Sequence, residues 1–171
     1  MALPTWKSVA SIGPDIDKVY DATEGLQFQL GTRIQARDTS TNGYGISEFI
    51  FLKGVASTAI GSWVTYNQDD GTTTLLAANA IGPVAVAMSA NILATTYGWY
   101  EIFGKAQAKA ATAFADNANV YATATAGTVD DAIVAGDRVK NCKGASALDT
   151  PTTGYAEFEI SYPVMDDGLA A

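Results

Sequence analysis

Apolar and polar residues alternate with a period of two along most of the chain, which is the pattern of β-strands whose faces meet different surroundings. Residues 45–53 read GISEFIFLK, residues 62–67 read SWVTYN, and residues 155–162 read YAEFEISY. An Asp-Gly pair at 70–71 follows the second segment and is a strong hairpin signal. The pattern predicts an all-β fold, either an antiparallel β-barrel or a β-sandwich, over residues 26–162.

The segment 45–53 is apolar on both faces over part of its length, because Phe49 and Phe51 lie opposite Ile50 and Leu52. This favours a strand that is covered on both sides. The core is expected to include Ile50, Leu52, Val64, Val84, Val86, Trp99, Ile102, Phe158 and Ile160.

Local signals conflict in the stretch TTYGWYEIFGKAQAKAATAF at 95–114, where an aromatic half typical of strands precedes an Ala, Gln and Lys half typical of helices. A helix over 106–115 would offer only Phe114 as a large apolar residue, so it would bury very little. We therefore predict a strand over 95–110, with Gly104 as a bulge or a close-packing point. In that strand one face is expected to hold Tyr100, Ile102, Ala106, Ala108 and Ala110, and the other Lys105, Gln107 and Lys109.

The chain ends differ from this β domain. Residues 1–25 are interrupted by prolines and glycines and have the composition of an extended arm. They carry an apolar series, Trp6, Ile12, Ile16 and Tyr20. The segment either closes the domain's own sheet or lies on a neighbouring subunit, and we expect the series to anchor it on a neighbouring subunit or capsid protein. Residues 163–171 are expected to form an acidic, exposed tail.

The charge of the chain restricts the classes of molecule that it is expected to bind. The formal net charge is −8, and the ten Lys and Arg residues are scattered. Direct binding of nucleic acid is not expected, because phosphate contacts require clustered basic side chains. Only 16% of residues are charged, whereas about a quarter is usual for a soluble domain. Part of the surface is therefore expected to face other protein.

Several kinds of site and location are not expected. The chain has one cysteine and no histidine, so an intramolecular disulfide and a conventional zinc site are excluded, and no cofactor is expected. The longest uncharged stretch, 71–100, is broken by Gly, Asn, Pro and Thr, so no membrane span is expected. The first 18 residues lack the basic cluster and unbroken apolar core of a signal peptide.

Catalytic signatures are missing as well, and no enzyme activity is expected. Without histidine the common nucleophile and base arrangements cannot form. Glu157 and Glu159 would lie about 6–7 Å apart on one strand face, within the range of glycosidase carboxylates. Alternating Glu residues on a solvated strand face are the more ordinary explanation.

Other polar clusters are better explained by turns. The pairs Asp69-Asp70 and Asp130-Asp131 could bind calcium, but neither has the ligand spacing of an EF-hand. The Gly43 to Gly45 pattern lacks the strand and helix context of a phosphate-binding loop. A set of aromatic residues could form a sugar-stacking platform if they were exposed together, although core packing is favoured for them. The set is Trp63, Tyr66, Tyr97, Trp99 and Tyr100.

Three segments carry a resemblance to a protein family. They read EFIFLKGVASTAIGSWVTY at 48–66, GPVAVAMS at 82–89 and GWYEIFGKAQAKA at 98–110. The chain resembles the small all-β capsid decoration (cement) and head structural proteins of tailed bacteriophages. The resemblance implies a non-enzymatic protein that docks on the outer surface of the capsid, often as a trimer, and bridges major capsid subunits.

The expected partners are the major capsid protein and further copies of this chain, with a trimer favoured. The expected location is the surface of the virion capsid, after synthesis in the host cytoplasm. Alternatives are another virion component, such as a head fibre base, tail or connector part, or a carbohydrate-binding or adhesin module.

Overall fold

The computed structural model describes residues 4–8, 13–24, 26–91, 93–150 and 152–166. This part of the chain contains strands and one 3-10 turn, and no helix in it has the length and hydropathy needed to cross a bilayer. The strands are β1 (Trp6–Ser8), β2 (Tyr20–Asp21), β3 (Arg33–Asp38), β4 (Ile46–Lys53), β5 (Trp63–Tyr66), β6 (Thr73–Leu75), β7 (Val84–Ala87), β8 (Thr96–Lys109), β9 (Asn119–Ala122), β10 (Val129–Asp130), β11 (Arg138–Gly144) and β12 (Tyr155–Met165). The all-β prediction is confirmed.

The strands form an antiparallel sheet with one branch. Hydrogen-bonded neighbours follow the order β1-β3-β4-β8-β12-β11-β9-β10. Strands β7, β5 and β6 branch from β8, and β2 pairs with β8 as well. The sheet does not close into a barrel, so the sandwich is the form of the prediction that fits.

Strand β8 is the centre of the fold and confirms the strand prediction for the ambiguous stretch. It runs for 14 residues, and it pairs with β4 over its first half and with β12 over its second half. Ala106 and Ala108 are fully buried there, and Phe158 lies directly opposite Ala106 on β12. Alanine side chains are small enough to let neighbouring layers approach, and this packing outweighs their preference for helix.

A bulge beside Gly104 reverses the alternation of β8, which corrects the predicted distribution of its side chains. Tyr100 and Ile102 belong to a smaller apolar cluster, whereas Ala106 and Ala108 belong to the main core. Gly104 has φ of 123°, and the register with β4 shifts between Glu48 and Phe49. The shift leaves Ile102 without a partner on β4, so the bulge lies at Ile102, and Gly104 is the close-packing point against Ser47. Even-numbered residues before and after the bulge therefore face different clusters.

Two apolar clusters cover the two faces of β4, as the sequence predicts. Phe49 and Phe51 enter the main core, and Ile50 and Leu52 enter the smaller cluster. All nine predicted core residues are buried. The confirmed set is Ile50, Leu52, Val64, Val84, Val86, Trp99, Ile102, Phe158 and Ile160.

The chain ends also join the sheet. Strand β1 pairs with β3, and β2 pairs with β8. Strand β12 continues to Met165, which pairs with Val139 on β11. The tail therefore cannot begin at residue 163 as expected, and residues 167–171 lie outside the described part.

Candidate interaction surface

The residues expected to anchor an arm on a neighbour are packed within their own chain. Trp6, Ile16 and Tyr20 are at most 4% exposed. The Trp6 ring meets Phe49 edge-on, with 5.0 Å between ring centroids. A side chain buried in its own core has no surface left for a partner, so the neighbour hypothesis is corrected for these three in favour of closure of the chain's own sheet. Ile12 lies outside the described residues.

The aromatic residues considered as a sugar platform are core residues. Trp63, Trp99 and Tyr100 are fully buried, and Tyr66 is 7% exposed. Tyr97 is half-buried and stacks on Phe51. The core interpretation is confirmed, and these five rings do not form an exposed platform.

Glu157 belongs to a structural clamp rather than to a carboxylate pair. The Tyr44 hydroxyl donates a 2.7 Å hydrogen bond to its Oε1, and Lys105 Nζ lies 2.8 Å from its Oε2. Burial and then the Glu157 contact raise the pKa of Tyr44. Glu159 is exposed. The clamp joins the turn before β4 to β8 and β12.

Removing the Tyr44 hydroxyl tests this clamp. Tyr44→Phe is expected to lower the free energy of unfolding by about 2 kcal/mol. The substitution removes a hydrogen-bond donor from the carboxylate of Glu157, which is charged and partly buried. Urea unfolding of Tyr44→Phe, Glu157→Gln and the double variant measures the coupling between the two side chains. Additive effects of the two substitutions would contradict the clamp.

The acidic pairs organise turns, as the sequence suggests. Asp70 Oδ1 accepts hydrogen bonds from the backbone N–H and the hydroxyl of Thr72, at 2.9 and 2.7 Å, and these bonds lower the pKa of Asp70. Asp131 Oδ2 accepts one from the N–H of Ala115 at 2.9 Å. Among the described residues, no three His, Cys, Asp or Glu side chains come together as a metal site.

Three exposed apolar side chains lie where β4, β8 and β12 are neighbours. Phe103 pairs with Glu48 on β4, and Ile46 lies two residues before Glu48 on the same face of that strand. We call Ile46, Phe103 and Tyr162 the outer patch. Their exposed fractions are 55%, 42% and 46%. The rings of Phe103 and Tyr162 pack with centroids 5.5 Å apart. Apolar groups clustered on a folded surface commonly mark a contact site.

The polar groups beside the outer patch hold its aromatic ring in place. Tyr162 donates a 3.0 Å hydrogen bond from its hydroxyl to Glu48 Oε2. Arg33 lies 3.7 Å from Glu48 Oε1 and 5.8 Å from the Tyr162 ring centroid. One positive and one negative side chain therefore border the patch.

Backbone irregularities lie at Tyr162 and on the neighbouring strand β11. Tyr162 has φ of 51°, which is uncommon for a residue with a large side chain, and Asn141 on the neighbouring strand has φ of 58°. The β11–β12 register shifts between Lys140 and Cys142. Sequence reasoning did not identify Phe103 and Tyr162 as exposed surface residues. No residue type in front of Tyr162 signals that the backbone is irregular there.

Glu101 is an acidic residue in the buried part of strand β8. It is fully buried, it lies opposite Phe49 and Val86 on the flanking strands, and neither of its oxygens has a hydrogen-bond partner. Desolvation raises the pKa of Glu101 to about 8, the Ser47 hydroxyl opposes the rise, and Asp38 adds to it. Glu101 therefore favours the protonated form at neutral pH.

The chain matches no protein-family model and no curated protein sequence.

Proposed function

We propose that the protein is a non-enzymatic virion structural protein, a capsid decoration or cement protein. In this role it binds the outer surface of the major capsid shell as a homo-oligomer, with a trimer favoured, and stabilises the shell. The outer patch is the observation that carries the proposal, because it offers apolar contact area on a framework of paired strands.

The resemblance segments support this role through their place in the fold. They contribute β4, β5, β7 and β8, which are adjacent in the sheet in the order β4-β8-β7-β5. The patch residue Phe103 lies on one of these strands. The low share of charged residues, 16%, also favours a surface that meets other protein.

The size of the outer patch explains why several copies are proposed. Burying the exposed part of each of the three side chains is worth about 1 kcal/mol. Three such contacts remain far below the roughly 8 kcal/mol that corresponds to micromolar affinity. An oligomer that places several patches on the shell gains affinity through effective concentration.

Variants of the outer patch test the proposal. The double substitution Phe103→Ser with Tyr162→Ser is expected to weaken binding to DNA-filled heads at least tenfold, measured by co-sedimentation of purified protein with heads that lack it. Ile133→Ser is the matched control, because Ile133 is 83% exposed but lies on the turn between β10 and β11.

Two outcomes decide against the proposal. One is the absence of the chain from the mass-spectrometric inventory of purified virions. The other is equal binding to heads by the patch variant and the Ile133→Ser control. A chain found in virions only with tail or connector proteins would favour the alternative virion role.

A further inference from the structure

One acidic side chain lies in an otherwise apolar row across strands β4, β8 and β7. Phe49 on β4 and Val86 on β7 are the direct register partners of Glu101 on β8, so the three side chains share one face of the sheet. Phe49 and Val86 belong to the main core. Glu101 therefore points into the main core with an apolar neighbour on each side.

Strand β1 covers this face of the sheet. The ring of Trp6 packs edge-on against Phe49, with 5.0 Å between the ring centroids, and Trp6 is 3% exposed. Met88 lies two residues after Val86, and Trp6 and Met88 line the same small pocket. Trp6 thus spans from the β4 side to the β7 side of the row that contains Glu101.

The polar atoms enclosed on this face have no partners. Both carboxyl oxygens of Glu101, the hydroxyl of Ser47 and the indole Nε1 of Trp6 are buried without a hydrogen bond in the described part of the chain. Ser47 lies two residues before Phe49 and so on the same face of β4. A buried carboxyl without donors tolerates its neutral form far better than its charged form. The charged form of Glu101 therefore requires access to water.

The ionisable neighbours do not compensate a charge on Glu101. Burial raises the pKa of Glu101 to about 8, the Ser47 hydroxyl opposes the rise, and Asp38 on β3 adds to it. Burial, then Glu157 and Asp38, and last Glu101 raise the pKa of Tyr44 in the turn before β4. The direct partners of Glu101 on β4 and β7 are apolar. Asp38 is thus the charged group that acts on Glu101, and it repels a second negative charge.

Strand β1 is the part of this cover that costs least to displace. It has three residues, and in the described part of the chain it pairs with β3 alone. One further contact holds it, because Asp17 accepts a hydrogen bond from the backbone N–H of Trp6. Strands β4 and β7 are each paired on both sides. Segments with few pairings open at a lower free energy than the strands at the centre of a sheet.

We propose that Glu101 is a pH sensor that controls the release of β1. When its carboxyl ionises, β1 detaches from β3, water reaches Glu101, and the rings of Trp6 and Phe49 become exposed. Strands β4, β8 and β12 remain paired. The switch does not rest on the capsid role, because it uses none of the outer patch residues.

Linkage gives the sign and the size of the pH effect. With β1 in place the pKa of Glu101 is about 8, and in the open form the solvated carboxyl has its ordinary value of 4.5. Opening therefore releases one proton between these two values. The equilibrium constant for opening is expected to rise by up to about tenfold per pH unit from pH 4.5 to 8 and to level off above pH 8. Acidic solution holds β1 closed.

Hydrogen exchange between pH 5 and 9, corrected for the intrinsic exchange rates, tests the proposal. The backbone N–H of Thr39 reports on the opening, because it donates a 2.7 Å hydrogen bond to the carbonyl of Thr5 beside β1. Its protection is expected to fall about tenfold per pH unit up to pH 8. At every pH it should exchange faster than the amides of β8 and β12, since those require opening of the central strands.

Two variants identify the group that titrates. Glu101→Gln cannot ionise and is expected to make the protection of Thr39 independent of pH. Asp17→Asn is the matched control, because burial and then Asp15 raise the pKa of Asp17 to about 6, within the same pH range. This variant is expected to expose Thr39 more at all pH values while keeping the dependence on pH up to 8.

Three results would overturn the proposal. One is protection of Thr39 that does not change with pH in the unaltered chain, which needs no variant. Another is equal protection of Thr39 and of the β8 and β12 amides, because β1 would then open only when the whole domain unfolds. The third is a pH dependence that survives in Glu101→Gln and disappears in Asp17→Asn, which would make Asp17 the sensor.

Discussion

Gly104→Ala is expected to lower the free energy of unfolding by about 3–5 kcal/mol. A β-carbon on Gly104 would lie 2.8 Å from the Ser47 β-carbon and 3.1 Å from its α-carbon. The second of these atoms belongs to the backbone of β4, so a change of rotamer cannot relieve the contact. The φ of 123° adds strain, because residues with side chains rarely adopt it.

A matched variant separates the two causes. Gly154→Ala introduces the same methyl group at φ of 79°, where nothing lies within 4 Å of the new β-carbon. It is expected to cost only the backbone strain, about 1–2 kcal/mol. Urea unfolding of both variants measures the difference. If both variants lose the same free energy of unfolding, contact with β4 does not contribute to the cost of a side chain at position 104.

Glu101→Gln is expected to change how stability depends on pH. The folded-state pKa of Glu101 is about 8, above its ordinary value of 4.5, so folding favours the protonated carboxyl. The stabilising contribution is complete below pH 4.5 and is lost as the pH rises toward 8. Linkage sets the total loss at up to about 5 kcal/mol, because each pKa unit corresponds to about 1.4 kcal/mol.

Unfolding at several pH values tests this expectation. The stability of Glu101→Gln relative to the unaltered chain should rise between pH 4.5 and 8 and then level off, because glutamine cannot ionise. Glu159→Gln removes an exposed carboxyl and controls for the loss of one negative charge. Parallel pH curves for Glu101→Gln and the unaltered chain would contradict a buried, protonated Glu101.

Alternation along single segments predicted much of the fold. Phe49 and Phe51 separate from Ile50 and Leu52 as expected, because successive side chains of a strand must point to opposite faces. The strand at 96–109 was predictable because a helix there would have had little to bury. These features depend on residues close together in the chain.

The outer patch and the burial of several residues depend on contacts between distant parts of the chain. Trp6 was expected to contact a partner. Instead, its strand pairs with β3 and its ring packs against Phe49 of the same chain. Phe103 and Tyr162 continue an alternating pattern in the sequence, yet they are exposed. Gln107 was placed on the outward face with Lys105 and Lys109, although it is buried.

Residue patterns along the chain thus predict the all-β class, the strands that carry the core and the special position of Gly104. Strand pairing sets the direction of the side chains beyond Gly104, the burial of the N-terminal aromatic residues and the exposure of the outer patch. The physical reason is that period-two alternation sets only which residues share a face between bulges. Which face is covered depends on the strands that pair from elsewhere in the chain, and a single bulge exchanges the two faces.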